Sequence, residues 1–129
     1  MKQFLTGALA LVMAAATIAP AVAQDAAGLW RPDMTSDYEV TMCGKDDAQL
    51  CIRVVALRDA MDTKKNRPYL NTTIVDKARP VGKNRWKGPM HMFGQSGDAT
   101  ITLRGENDLM VKVCAYIVVC REYPMKRVE

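Results

Sequence analysis

Four cysteines, a single histidine and a Met-His-Met triplet are the residues whose types and spacing could do chemistry in this chain. Cys43 and Cys51, and Cys114 and Cys120, are separated more widely than the ligands of a zinc knuckle, and no C-x-x-C redox motif occurs. Their number is even, so disulfides are the natural reading, with three possible connectivities. A Ser-His-Asp hydrolase would need His91 with Ser36 or Ser96, and neither serine sits in a nucleophile elbow. Asp46-Asp47 are adjacent in a turn, where their side chains point apart and stay solvated. There is no glycine-rich phosphate loop and no H-E-x-x-H. Lys64-Lys65-Asn66-Arg67 reads as a solvated loop. The chain is therefore expected to be no enzyme and to carry no cofactor. Met90 and Met92 place two thioethers on one face of a strand, and soft sulfur ligands select Cu(I) and Ag(I). His91 faces the other way and cannot join both sulfurs without a bulge. The plainer role for the methionines is barrel filling.

The elements that must position these residues begin after a distinct leader. Lys2 is the one charge in residues 1–23, Phe4 to Ala19 is apolar, and Ala21-Val22-Ala23 has the small-x-small form of a cleavage site. Residues 1–23 are expected to be a signal peptide removed after Ala23, leaving no stable membrane anchor. Export to a bacterial periplasm or beyond follows, and an oxidising compartment favours cystines. The whole chain carries 18 Lys+Arg and 14 Asp+Glu. That modest excess, spread along the chain, is no nucleic-acid signature. Residues 24–129 are long enough for one domain with one core.

The apolar period in that domain is two. Tyr38 to Cys43 alternates, as does Leu109 to Cys114, and turn-formers recur at short intervals. Strands are expected at about 28–33, 37–43, 51–57, 70–77, 84–93, 98–104, 108–115 and 119–128. The fourth is the least defined, because 68–81 could hold a helical turn. Eight short strands with tight turns point to an all-β, up-and-down antiparallel barrel, whose closure removes exposed edges. Two hairpins can be registered on paper. With Cys43 opposite Cys51, Met42 faces Ile52, Val40 faces Val54 and Thr41 faces Arg53. With Cys114 opposite Cys120, Lys112 faces Glu122, and Val113, Val111 and Leu109 meet Arg121, Tyr123 and Met125. Both registers keep one face apolar and lie within disulfide reach, so Cys43–Cys51 and Cys114–Cys120 are the expected cystines.

Strand parity places Trp30 and Arg127 at one end of such a barrel. The other end gathers the Arg58–Pro68 segment, Tyr69 and the apolar tip Ala115-Tyr116-Ile117-Val118-Val119.

A run of motifs carries a resemblance. Gly28-Leu29-Trp30 is similar to the G-x-W that opens lipocalin-type barrels. After it come Cys43-Gly44…Leu50-Cys51, Ile52-Arg53-Val54-Val55, Arg67-Pro68-Tyr69-Leu70, Trp86-Lys87-Gly88 and Cys120-Arg121…Arg127-Val128. In that order they resemble the small exported bacterial proteins grouped as DUF twenty-one forty-seven. The resemblance implies a lipocalin- or avidin-like barrel with no established activity, and a Trp30 that packs under Arg127. The chain departs from the pattern at Pro89–Asp98 and at Met125, where the family usually carries aromatic residues. It reads as a divergent member.

The functional expectation is a non-enzymatic barrel taking a small apolar ligand in its lumen or open end, near Tyr69 and Tyr116. A protein-binding or inhibitor-type module acting through the open-end loops is the alternative, and Cu(I)/Ag(I) binding through Met90 and Met92 the third. The tip offers two outcomes. Tyr116, Ile117 and Val118 either fold inward as a plug or stay exposed as a patch held by the cystine beneath.

Overall fold

A computed structural model describes residues 25–32, 36–116 and 119–128. The expected signal peptide, Ile117 and Val118 lie outside the described residues. The chain forms eight strands in sequence order: β1 (Gly28–Pro32), β2 (Ser36–Cys43), β3 (Gln49–Leu57), β4 (Thr73–Gly82), β5 (Arg85–Met92), β6 (Gln95–Gly105), β7 (Asp108–Ala115) and β8 (Val119–Val128). Each pairs antiparallel with the next, and β1 pairs with β8, so the sheet closes into a barrel without a free edge. All-β, eight-stranded and up-and-down is the architecture that the alternating period calls for.

Inward positions follow the pleat. Trp30, Val40, Leu50, Ile52, Val54, Val75, Ile101, Leu109 and Val111 are buried, and they fill the barrel from its closed end to about mid-height. Each such side chain contributes about 1.5–3 kcal/mol relative to its exposed state.

Three expectations are corrected. The fourth strand starts at Thr73 rather than residue 70, because Arg67–Tyr69 form a 3-10 turn with Pro68 near its start. The sixth strand starts at Gln95 rather than residue 98. Phe93 and Gly94 take positive φ of 51° and 80° and turn the chain in two residues, so Met92 pairs directly with Gln95. The run Gly94 to Gly97, left between the expected strands, is therefore mostly strand.

The β2–β3 register is the third correction. Thr41 faces Cys51, Val40 faces Ile52 and Met42 faces Leu50, two residues from the expected alignment. A slip of two preserves which face each side chain occupies, so the inner set is unchanged. The shift is favoured outside, where Glu39 now opposes Arg53 and pairs with it at 2.9 Å. Cys43–Cys51 consequently spans a diagonal, with Cα atoms 6.1 Å apart. The β7–β8 register matches expectation: Cys114 faces Cys120 with Cα atoms 4.0 Å apart, and Lys112 faces Glu122.

One polar cluster ties the long β3–β4 connection to the wall. Asp37, buried, accepts from Arg31 Nε at 2.7 Å and Nη2 at 3.1 Å, and also from Arg58 at the start of that connection. The hydrogen bonds from Arg31 hold the Asp37 carboxyl below its ordinary range; burial works against them, and Arg58 adds to them. A depressed folded pKa gives stability that is complete above about pH 4 and is lost as pH falls through the folded value. Asp37→Asn is expected to cost about 2 kcal/mol at neutral pH, with the gap to the parent narrowing below about pH 4. Urea midpoints at three pH values measure it, and a gap constant down to acid pH would remove the clamp from the account.

Candidate functional site

The open end of the barrel is where the filling stops. Lumen-facing residues of β5 to β8 change there from Ile101, Leu109 and Val111 to Met92, Val113, Arg121 and Tyr123, all only partly buried or exposed. Two hollows result. One, of about 170 Å³, lies against Val113, Ala115, Val119 and Arg121. The other, of about 200 Å³, lies against Ser36, Tyr38, Met61, Phe93 and Met125. Met90, Met92, Gln95 and Tyr123 line both, so the two hollows are neighbours on either side of a shared waist. Met90, which lines both hollows, and Met125, which lines the second, are buried.

The polar groups of this cup are few. The Tyr38 hydroxyl donates to Met92 Sδ at 3.4 Å. Burial pushes the Tyr38 hydroxyl pKa up, the nearby Ser36 hydroxyl moderates the rise, and Tyr123 adds to it. Ser36 lies close enough for that influence, yet its Oγ is buried and meets the geometry of a hydrogen bond with no group among the described residues. Arg121 faces Val113 across the β7–β8 pair and forms no ion pair among the described residues.

The sequence-predicted residues are placed as follows. Met90 and Met92 stand together in the cup, and His91 turns outward to within 2.7 Å of Ser96 Oγ. Tyr69 does not line either hollow; it packs edge-on against Phe93 with ring centroids 5.4 Å apart and so stands one layer behind the wall. Tyr116 is 88% exposed at the tip, and Val119 is 54% exposed. Among the described residues no three His, Cys, Asp or Glu side chains gather as a metal site.

Trp30 and Arg127 sit at the far, closed end. They are direct register partners, and the guanidinium carbon lies 4.3 Å above the indole centroid. Arg127 also donates to the carbonyls of Asp25, Ala27 and Glu106, and Trp30 Nε1 donates to the Ala26 carbonyl. Gly28 belongs to this latch: its φ is +141°, and a Cβ there would come within 2.6 Å of Arg127 Nη1. The G-x-W spacing thus leaves room for the arginine.

Tyr38, Ser36, Tyr123, Arg121 and Met61 were not picked out from sequence as cup residues. The β7–β8 alignment had already put Arg121 and Tyr123 on the inner face. Met61 had no such signal, because it comes from a connection without a period. A further hollow of about 290 Å³ lies on the outside, against Arg85, Thr100, Thr102, Lys112 and Glu122. Its walls are polar and basic where those of the cup are mostly apolar.

No family model matches the sequence, and no curated protein matches it. Among solved structures the chain is similar to protein HP1028 from the human pathogen Helicobacter pylori, described as belonging to the lipocalin family. The TM-score is 0.61 at 14% identity, with 81% of this chain and 84% of that chain covered. At that identity the likeness concerns the fold: a closed, eight-stranded lipocalin-like barrel.

Proposed function

We propose that this protein is an exported, non-enzymatic binding barrel that holds one small apolar ligand in its open end. The observation that carries the proposal is the pair of adjoining, mostly apolar hollows where the core filling stops. A cavity of about 150 Å³ holds a benzene-sized molecule, whereas drug-sized pockets run from about 300 Å³ upward. Hollows of about 170 and 200 Å³ therefore fit a ligand of one or two rings, or a short chain. Export is supported by the leader pattern of residues 1–23 and by the two cystines. Membership of DUF twenty-one forty-seven rests on the motif run from Gly28 to Val128. A second reading, a protein partner met by the β7–β8 tip, is favoured by the exposure of Tyr116 beside Val119.

The test is a cup-filling variant. N-phenyl-1-naphthylamine, a neutral two-ring fluorophore, is expected to bind the parent and to lose at least ten-fold in affinity in Val113→Trp, with the melting temperature held. Unchanged binding in a folded Val113→Trp variant would place the probe elsewhere and overturn the proposal.

A further inference from the structure

Four methionines line the second hollow of the cup: Met61, Met90, Met92 and Met125. They come from three separate stretches of chain. Met90 and Met92 lie on β5, Met125 on β8, and Met61 ends the 3-10 turn Asp59–Met61 in the β3–β4 connection. That connection is tied down beside them, because Arg58 pairs with Asp37 and Asn66 Nδ2 donates to the Met61 carbonyl at 3.0 Å. The described residues hold two further methionines, Met42 and Met110, and Met110 lines the outer hollow. Barrel filling alone asks for apolar volume, which Leu, Ile and Val supply in the closed half; at the open end the chain supplies thioethers instead.

Thioether sulfur is a neutral, soft donor, and a set of such donors selects Cu(I) or Ag(I) over harder ions. The rest of the lining agrees with that selection. Among the described residues no carboxylate, imidazole or thiolate lines the hollow, and its polar groups are the neutral side chains of Ser36, Tyr38, Gln95 and Tyr123. Zinc, calcium and magnesium would lack their usual ligands there. One sulfur is already oriented: the Tyr38 hydroxyl donates to Met92 Sδ at 3.4 Å, and the second lone pair of that sulfur is left for a metal. Tyr38, Phe93 and Tyr123 line the same hollow, and aromatic rings favour a cation in an otherwise apolar site. A hollow of about 200 Å³ gives these long, flexible side chains room to bring their sulfurs onto one ion.

We propose that this hollow binds one soft monovalent cation of the Cu(I)/Ag(I) class through the sulfurs of Met61, Met90, Met92 and Met125. The metal site goes beyond the apolar-ligand reading and shares only the hollow with it.

Ag(I) is the probe, because it needs no reductant and the described residues include no free thiol to compete for it. Titrated as the nitrate in chloride-free buffer into the folded mature protein, it is expected to bind as a single ion per chain in native mass spectra. Leucine keeps the volume and apolarity of methionine and removes the sulfur. Met90→Leu and Met61→Leu should each weaken Ag(I) binding about ten-fold or more, with N-phenyl-1-naphthylamine affinity and melting temperature held. Met110→Leu on the outer wall, and His91→Gln beside Ser96, should leave Ag(I) affinity unchanged. Ag(I) binding that survives both Met90→Leu and Met61→Leu, or that His91→Gln abolishes, places the ion elsewhere and overturns the proposal. Naphthylamine binding without Ag(I) binding overturns the metal site and leaves the apolar cup standing. Ag(I) binding without naphthylamine binding supports the metal site and removes the apolar-ligand reading. Binding of neither overturns both.

Discussion

Trp30→Ala should lower the unfolding free energy by about 3–5 kcal/mol, the cost of a large cavity in a core that cannot collapse around it. Trp30 is fully buried, and its ring is the surface on which Arg127 rests. Arg127→Ala should cost about 2–3 kcal/mol, combining the lost stacking with three released carbonyl contacts, of which two are solvent-exposed. The double variant should lose less than the sum, by about 1–2 kcal/mol, because the stacking can be lost only once. Urea denaturation of the four proteins measures this coupling. Strict additivity would mean that the stacked pair is geometry without energetic weight. Naphthylamine binding should persist in the folded Arg127→Ala protein, since the latch and the cup occupy opposite ends.

Reduction of the two cystines is the other large effect. Closing loops of this length removes chain entropy worth about 2–3 kcal/mol for each bridge, so about 5 kcal/mol together. A domain of this size has about 5–15 kcal/mol to lose. The reduced protein should still fold, because strand pairing and the buried apolar core remain when the bridges are opened, but it should melt about 20 °C or more lower. A shift of a few degrees would show that the hairpins hold their registers without the bridges. Peptide maps under non-reducing conditions should link 43 with 51 and 114 with 120.

The two hairpins show how far the sequence could be read. On β7–β8, alternation, the cystine and the Lys112–Glu122 pair all specify one alignment, and that alignment is present. On β2–β3 the same reasoning missed by two residues, because period-two patterning is blind to a slip of two. The ion pair of Glu39 with Arg53 was the discriminating signal. At the β5–β6 turn, composition misled: Gly94, Gln95, Ser96 and Gly97 look like loop residues, yet two positive φ angles at Phe93 and Gly94 make the turn and free the rest to pair. The cup was half legible. Met90 and Met92 stood out by their spacing, whereas Ser36 and Tyr38 acquire their place only when β2 is rolled next to β1 and the Met61 segment closes over it. Tyr69 attracted attention as an aromatic near the opening, and the wall is instead Phe93, on which it leans.

The claim that the lumen of the open end is the binding site is tested most directly at its methionines. In protein carrying 13C-methyl methionine, titration with N-phenyl-1-naphthylamine should shift the methyl signals of Met61, Met90, Met92 and Met125, which line the cup. The signal of Met110, which lines the outer hollow, should stay still. Movement of Met110 with the four cup methyls unmoved would place the ligand on the outside of the barrel and contradict the account.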